Sequence, residues 1–176
     1  MPSYRNARSV KTTMITERTF ETRINLSADV RARLIDLLNE QLADTFDVFS
    51  QAKQAHWNVK GAQFYQLHEL FDKLAGELEQ HVDLIAERVT ALGGVAMGSV
   101  RMAAQRSRVP EYDVEITDSQ PVADALAVRF ANLAESTRRA VEIADEQGDD
   151  GTADLLTEVS RALDKALWFL EAHGQR

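Results

Sequence analysis

The sequence predicts an all-α protein built on four long helices. Its three prolines fall at positions 2, 110 and 121, which leaves long stretches without a helix breaker. Two of those stretches carry leucine and phenylalanine at helical spacing over more than twenty residues. With 44% apolar and 27% charged residues among 176, the chain is too apolar for disorder and the right size for one domain with a sizeable core.

Residues 1–23 are polar and without periodicity, and are expected to form a flexible N-terminal extension ahead of a domain spanning 24–173. Ser27 is placed to cap the first long helix, with Asp29 at the positive end of its dipole. Val30, Leu34, Leu37, Leu38, Leu42, Phe46 and Phe49 form that helix's apolar stripe, which runs to about Trp57 and stops near Asn58–Gly61. A second helix begins near Gln63, carries Leu67, Leu70, Phe71, Leu74, Leu78, Ile85, Val89 and Leu92, and ends at Gly93–Gly94. Residues 95–118 lose the period, apart from a short helix expected around Val100–Gln105. Pro121 suits the first turn of a third long helix reaching about Glu146, and a fourth follows over about Thr152–Ala172. Short turns at both ends of the order and a long middle connection favour one arrangement. The second and third long helices lie parallel and are joined by a crossover, as in ferritin-like bundles with a single long connection. A four-helix bundle of different topology is the alternative.

Absence of cysteine excludes disulfides, thiolate metal sites and a cysteine nucleophile. No apolar run approaches the roughly 20 residues of a membrane span, and no signal-peptide core is evident, so a soluble cytosolic protein is expected. The net charge is −8, but residues 1–23 set Arg5, Arg8, Lys11, Arg18 and Arg23 against Glu17 and Glu21. A weakly basic tail therefore precedes an acidic body that attracts cations.

Chemistry concentrates on the second helix. With His68 as origin and about 100° per residue, Asp72 falls at about 40°, Asp83 at about 60° and Glu87 at about 100°. The apolar stripe centres at about −90°, so four metal-capable side chains share one face beside it. Ala75, Gly76 and Ala86 lie among them, where a solvated face would more usually carry Lys, Gln or Glu. Imidazole and carboxylate without thiolate suit iron, manganese or zinc. Asp72 and Asp83 stand roughly 16 Å apart along the axis, whereas coupled metals sit about 3.5–4 Å apart. One chain cannot gather all four, but a two-fold axis between antiparallel copies of this helix can. The usual intramolecular di-iron motif, Glu-x-x-His, is absent around His56, His68, His81 and His173. Single His/Asp pairs four apart are commonplace on solvated helices; here the two aligned pairs and His56 at the end of the preceding helix form the pattern. His81, at about −140°, is expected at the core edge or hydrogen-bonded. His173 is expected in solvent, and Trp57 and Trp168 as core anchors.

The run Lys53-Gln54-Ala55-His56-Trp57-Asn58-Val59-Lys60-Gly61, then His68-Glu69-Leu70-Phe71-Asp72 and Asp83-Leu84-Ile85-Ala86-Glu87-Arg88, resembles the Dps family of mini-ferritins. The spacing His-x11-His-x3-Asp-x10-Asp-x3-Glu fits that family's ferroxidase signature, and Asp149–Asp154, Asp164-Lys165 and Trp168–Glu171 extend the likeness over about residues 25–172. The resemblance implies a homododecameric shell in which His56, His68 and Asp72 of one subunit and Asp83 and Glu87 of its two-fold mate form each site. It further implies Fe(II) oxidised preferentially by hydrogen peroxide and Fe(III) mineral stored inside, with zinc or manganese as other occupants of the site. Asp145, Asp149, Asp150 and Asp154 become candidates for an acidic iron-entry pore, and Trp57 for intercepting stray oxidising equivalents. Arg5, Arg8 and Lys11 become candidate DNA contacts, with nucleoid association as a consequence. The alternative function is a DNA-compacting structural protein with little ferroxidase activity.

Overall fold

A computed structural model describes residues 18–175. It is all-helical: α1 (Ala28–Asn58), α2 (Phe64–Ala91), α3 (Val100–Arg106), α4 (Ser119–Glu146) and α5 (Asp150–Ala172). Local chemistry sets the ends. Ser27 caps α1 by accepting from the Val30 N–H at 3.3 Å, and Ser99 caps α3 in the same way through Met102. At the end of α2, Gly93 takes a φ of 87°, a conformation that side chains resist. Its carbonyl accepts from the Phe20 N–H at 2.7 Å, and Arg31 Nη1 donates to the Leu92 carbonyl at 3.1 Å. Residues around Phe20, counted by the sequence in the N-terminal extension, are thereby fastened to the bundle.

Connections fix the topology. The α1–α2 turn lies beside the start of α4: Lys60 N–H donates to Thr117 O at 2.8 Å, and Ser119 Oγ donates to Lys60 O at 2.5 Å. Starting from the same end, α2 and α4 run parallel, and the crossover carrying α3 spans the length between them. This is the arrangement expected from the lengths of the connections. Side chains of α1 hold the crossover down. Asn39 Oδ1 accepts from Met97 N–H at 2.8 Å, Asp44 accepts from the Arg108 backbone N–H at 2.8 Å and from its guanidinium, and Gln51 donates to Pro110 O at 3.0 Å.

The core is two stacked clusters. One gathers around Leu67, Phe71, Leu126, Phe130 and Leu163, the other around Leu34, Leu38, Ile85, Val89 and Leu156. Along α1, α2 and α4 the change from one cluster to the other passes a buried polar residue: Thr45, His81 and Thr137 respectively. Thr137 Oγ1 is satisfied by Leu133 O at 2.8 Å, and Thr45 Oγ1 by Gln41 O at 2.7 Å. His81 is only 8% exposed, and neither ring nitrogen has a hydrogen-bond partner. The sequence expected a core-edge or hydrogen-bonded histidine; it lies where the two clusters meet, at the edge of each, and has no bond.

Burial lowers the pKa of His81, against the opposing pull of Glu158 and Glu77. The unfolded chain therefore takes up this proton first, and stability falls as pH drops below about 6.5. His81→Leu removes two orphaned polar atoms as well as this titration. It should raise stability by about 1–2 kcal/mol and flatten the decline in melting temperature between about pH 7 and 5. Thermal melts of both proteins across that range check it; a variant with the wild-type slope defeats the assignment.

Candidate metal centre

The five-residue turn between α1 and α2 brings the last turn of one helix against the first turns of the next. His56 and His68 meet there, their rings stacked with centroids 3.8 Å apart and planes at 20°. Each ring bonds to the other residue's backbone: His56 Nδ1 to His68 O at 2.8 Å, His68 Nδ1 to His56 O at 2.9 Å. A carbonyl only accepts, so each Nδ1 carries hydrogen and donates. In the neutral rings both Nε2 atoms are left with free lone pairs, the tautomer a metal requires. Phe64 packs against the His68 ring at 5.2 Å.

One turn beyond His68, Asp72 brings its Oδ1 to 3.9 Å from His56 Nε2 and to 2.5 Å from Lys53 Nζ. The hydrogen bond from Lys53 holds the Asp72 carboxyl below the ordinary range. Slight desolvation opposes it, and the charges of Lys53, His56 and His68 reinforce it. The Lys53 ammonium also lies over the Trp57 ring, 5.8 Å from its centroid. Asp83 and Glu87 are exposed farther along α2 and do not join this group. Among the described residues no three His, Asp or Glu side chains of one chain converge on a common point. Asp83 instead edges a 530 Å³ groove with Leu42, Phe46, Phe49, Val82 and Ala86. A second groove of 680 Å³ shares Phe46 and reaches Trp57 and Val100, which are 65% and 69% exposed.

Two expectations need correction. Trp57 and Trp168 are not core anchors, being 65% and 59% exposed in the single chain, because their helix faces have no neighbouring helix to cover them. Asp149 is no pore-lining carboxylate: it is 5% exposed and accepts from Arg88 Nη2 at 2.6 and 2.8 Å and from Thr152 N–H at 3.2 Å. It caps α5 and ties that helix to the end of α2. Asp145, Asp150 and Asp154 remain exposed around the same turn. Arg5, Arg8 and Lys11 lie outside the described residues. His173, expected in solvent, is half-buried. Lys53, which meets Asp72 at the site, and Arg88, which meets Asp149 away from it, are the partners that sequence reasoning missed. Both stood inside the recognised motif runs, yet nothing in spacing along one helix tells which residue of another it will meet.

A bundle of this topology, with paired imidazoles and carboxylates at its edge, defines a ferritin-like protein, and residues 35–176 match the family model described as a ferritin-like domain. The DNA protection during starvation protein of Agrobacterium fabrum is 43% identical over 90% of this chain and 98% of its own length. DpsC from Streptomyces coelicolor superposes with a TM-score of 0.85 at 36% identity, covering 90% of this chain and 92% of that one. A Dps protein from Vibrio cholerae O1, titled a member of a broad superfamily of ferritin-like diiron-carboxylate proteins, does so at 0.82 and 27% identity, over 88% and 96% of the two chains. This chain belongs to the Dps family of ferritin-like proteins.

Proposed function

We propose that the protein is a ferroxidase and iron store that oxidises Fe(II), preferentially with hydrogen peroxide, at sites shared between two copies. The observation that carries this reading is the stacked histidine pair, whose Nδ1–H groups are consumed by carbonyls so that both Nε2 atoms are left free, that of His56 3.9 Å from Asp72 Oδ1. Asp83 and Glu87 of a two-fold mate complete the site. The uncovered apolar face around Phe46, Phe49, Trp57 and Val100 supports such a mate. Two Fe(II) ions side by side deliver the two electrons that hydrogen peroxide needs; with two protons the products are two Fe(III) and two waters, and no hydroxyl radical escapes. Zinc and manganese suit the same donors and act as competitors. The dimer builds a dodecameric shell holding ferric mineral, with Asp145, Asp150 and Asp154 around its entry pore. The setting is the cytoplasm. Trp57, exposed beside His56, takes up oxidising equivalents that leave the site.

Stopped-flow oxidation of anaerobic Fe(II)-loaded protein should run much faster with stoichiometric peroxide than with air, while light scattering reports the assembled mass. Equal rates with and without protein overturn the proposal. A second reading rests on the net positive charge of residues 1–23 and on the relatives named for DNA protection: contact with DNA through Arg5, Arg8 and Lys11. Twelve copies of such a tail would give strongly salt-sensitive retardation of DNA, lost on removal of residues 1–17.

A further inference from the structure

We infer that the cleft between residues 18–20, α1 and the crossover binds a single-chain amphiphile with a carboxylate head, a free fatty acid of medium length. Its volume is 440 Å³, within the range of about 300–1,000 Å³ found for small-molecule sites. It shares no residue with the histidine pair or with the two grooves around Phe46.

The body of the cleft is apolar, built from Phe20, Ile35, Val95, Met97 and Met102. Phe20, Val95 and Met102 are exposed, so three large apolar side chains come to the surface at one place. The two thioethers are unbranched and adaptable, and can follow a flexible methylene chain. Polar groups of the walls are already engaged. Phe20 N–H donates to Gly93 O at 2.7 Å, and Arg31 Nη1 donates to Phe20 O at 3.4 Å. Asn39 donates through Nδ2 to Val95 O at 3.2 Å and accepts through Oδ1 from Met97 N–H at 2.8 Å. The walls are therefore fixed before a ligand arrives, and these groups ask nothing of its tail.

The rim selects the head. Arg106 Nη2 donates to Asp36, so those two charges offset each other. Arg18 lies over the Phe20 ring, 4.9 Å from its centroid, and has no carboxylate partner among the described residues. One unmatched guanidinium at the mouth of an apolar cleft is the complement of one carboxylate on an apolar tail, and its planar fork suits that group. A phosphate monoester would bring a second negative charge toward Asp36, which favours the singly charged head.

The test is calorimetric titration of the assembled full-length protein with decanoate, octanoate and decanol. Expected is saturable decanoate binding at one per chain. Octanoate should bind about fifteenfold more weakly for its two missing methylenes, and decanol about tenfold more weakly for its missing charge. Arg18→Gln should weaken decanoate about tenfold and leave decanol unchanged. Met102→Trp, which fills the cleft, should abolish binding of both; Val95→Trp repeats the block from another wall, and melting with light scattering confirms fold and assembly. No saturable decanoate binding to the wild-type assembly overturns the proposal, as when a neighbouring copy fills the cleft. Decanoate binding that survives both tryptophan variants overturns it by placing the ligand elsewhere. Equal affinity for decanoate and decanol, or an unchanged preference in Arg18→Gln, overturns the carboxylate assignment.

Discussion

Protein assembled from equal amounts of Asp72→Ala and Glu87→Ala subunits should recover about a quarter of wild-type Fe(II) oxidation, while each variant alone loses at least about 100-fold. Loss of a group that merely supports a ligand already costs about 10–100-fold, and loss of the ligand itself costs no less. The quarter follows from symmetry. Random mixing makes half the dimers mixed, and each mixed dimer has one doubly damaged site and one in which an intact Asp72 faces an intact Glu87. This is the sharpest consequence of a single chain that holds His56 at the end of α1 with His68 and Asp72 at the start of α2, and Asp83 roughly 16 Å farther along α2 with Glu87 a turn beyond it. Native mass spectrometry establishes that mixed dimers have formed. If they form and the mixture stays as inactive as its parents, the shared site is wrong; if either parent keeps its activity alone, the ligand assignment is wrong.

What could be read from the sequence was whatever one element determines by itself. Ser27, Gly93 and Pro121 act within their own turns, so they announced the helix ends that the structure shows. Connection lengths announced the crossover, because a short turn forces neighbours to be antiparallel and a long one frees them. That His68, Asp72, Asp83 and Glu87 share a side of α2 was legible from its period alone, and the nearness of His56 to His68 from the short turn between their helices. What two elements determine together was not legible. Lys53 on α1 meets Asp72 on α2 only after the rotation of both helices is set by packing. Asp149 looked like one more carboxylate in an acidic turn; its burial depends on Arg88 reaching across from α2. Trp57 and Trp168 have the composition of core residues, yet lie on faces that no helix of the same chain covers.

Asp149→Ala should be the most damaging single change to stability outside the apolar core, costing about 3 kcal/mol or more. The carboxylate does two jobs that share no atoms on the partner side. It receives Arg88 Nη2 through both oxygens, at 2.6 and 2.8 Å, and it caps α5 through the Thr152 N–H and hydroxyl. Removal strands a guanidinium whose side chain is only 20% exposed, and breaking one side of such a pair costs about 3–5 kcal/mol when fully buried, with the lost cap worth about 1 more. For a domain of this size that is a fall in melting temperature of about 10 °C. Asp149→Ser with Arg88→Met keeps the cap and removes the stranded charge, so it should melt well above Asp149→Ala although it carries one more substitution. The acid limb gives an independent check. Burial raises the Asp149 pKa, but the hydrogen bonds from Thr152 and Arg88 outweigh it and leave the group below the usual carboxylate range. A depressed carboxyl contributes its full stability above about pH 4 and loses it as pH falls through the lowered value. Wild type should therefore lose stability over that interval, and Asp149→Asn should lose less over the same interval. If the double variant melts no higher than Asp149→Ala, the stranded arginine is not the source of the loss, and the cap alone must account for it.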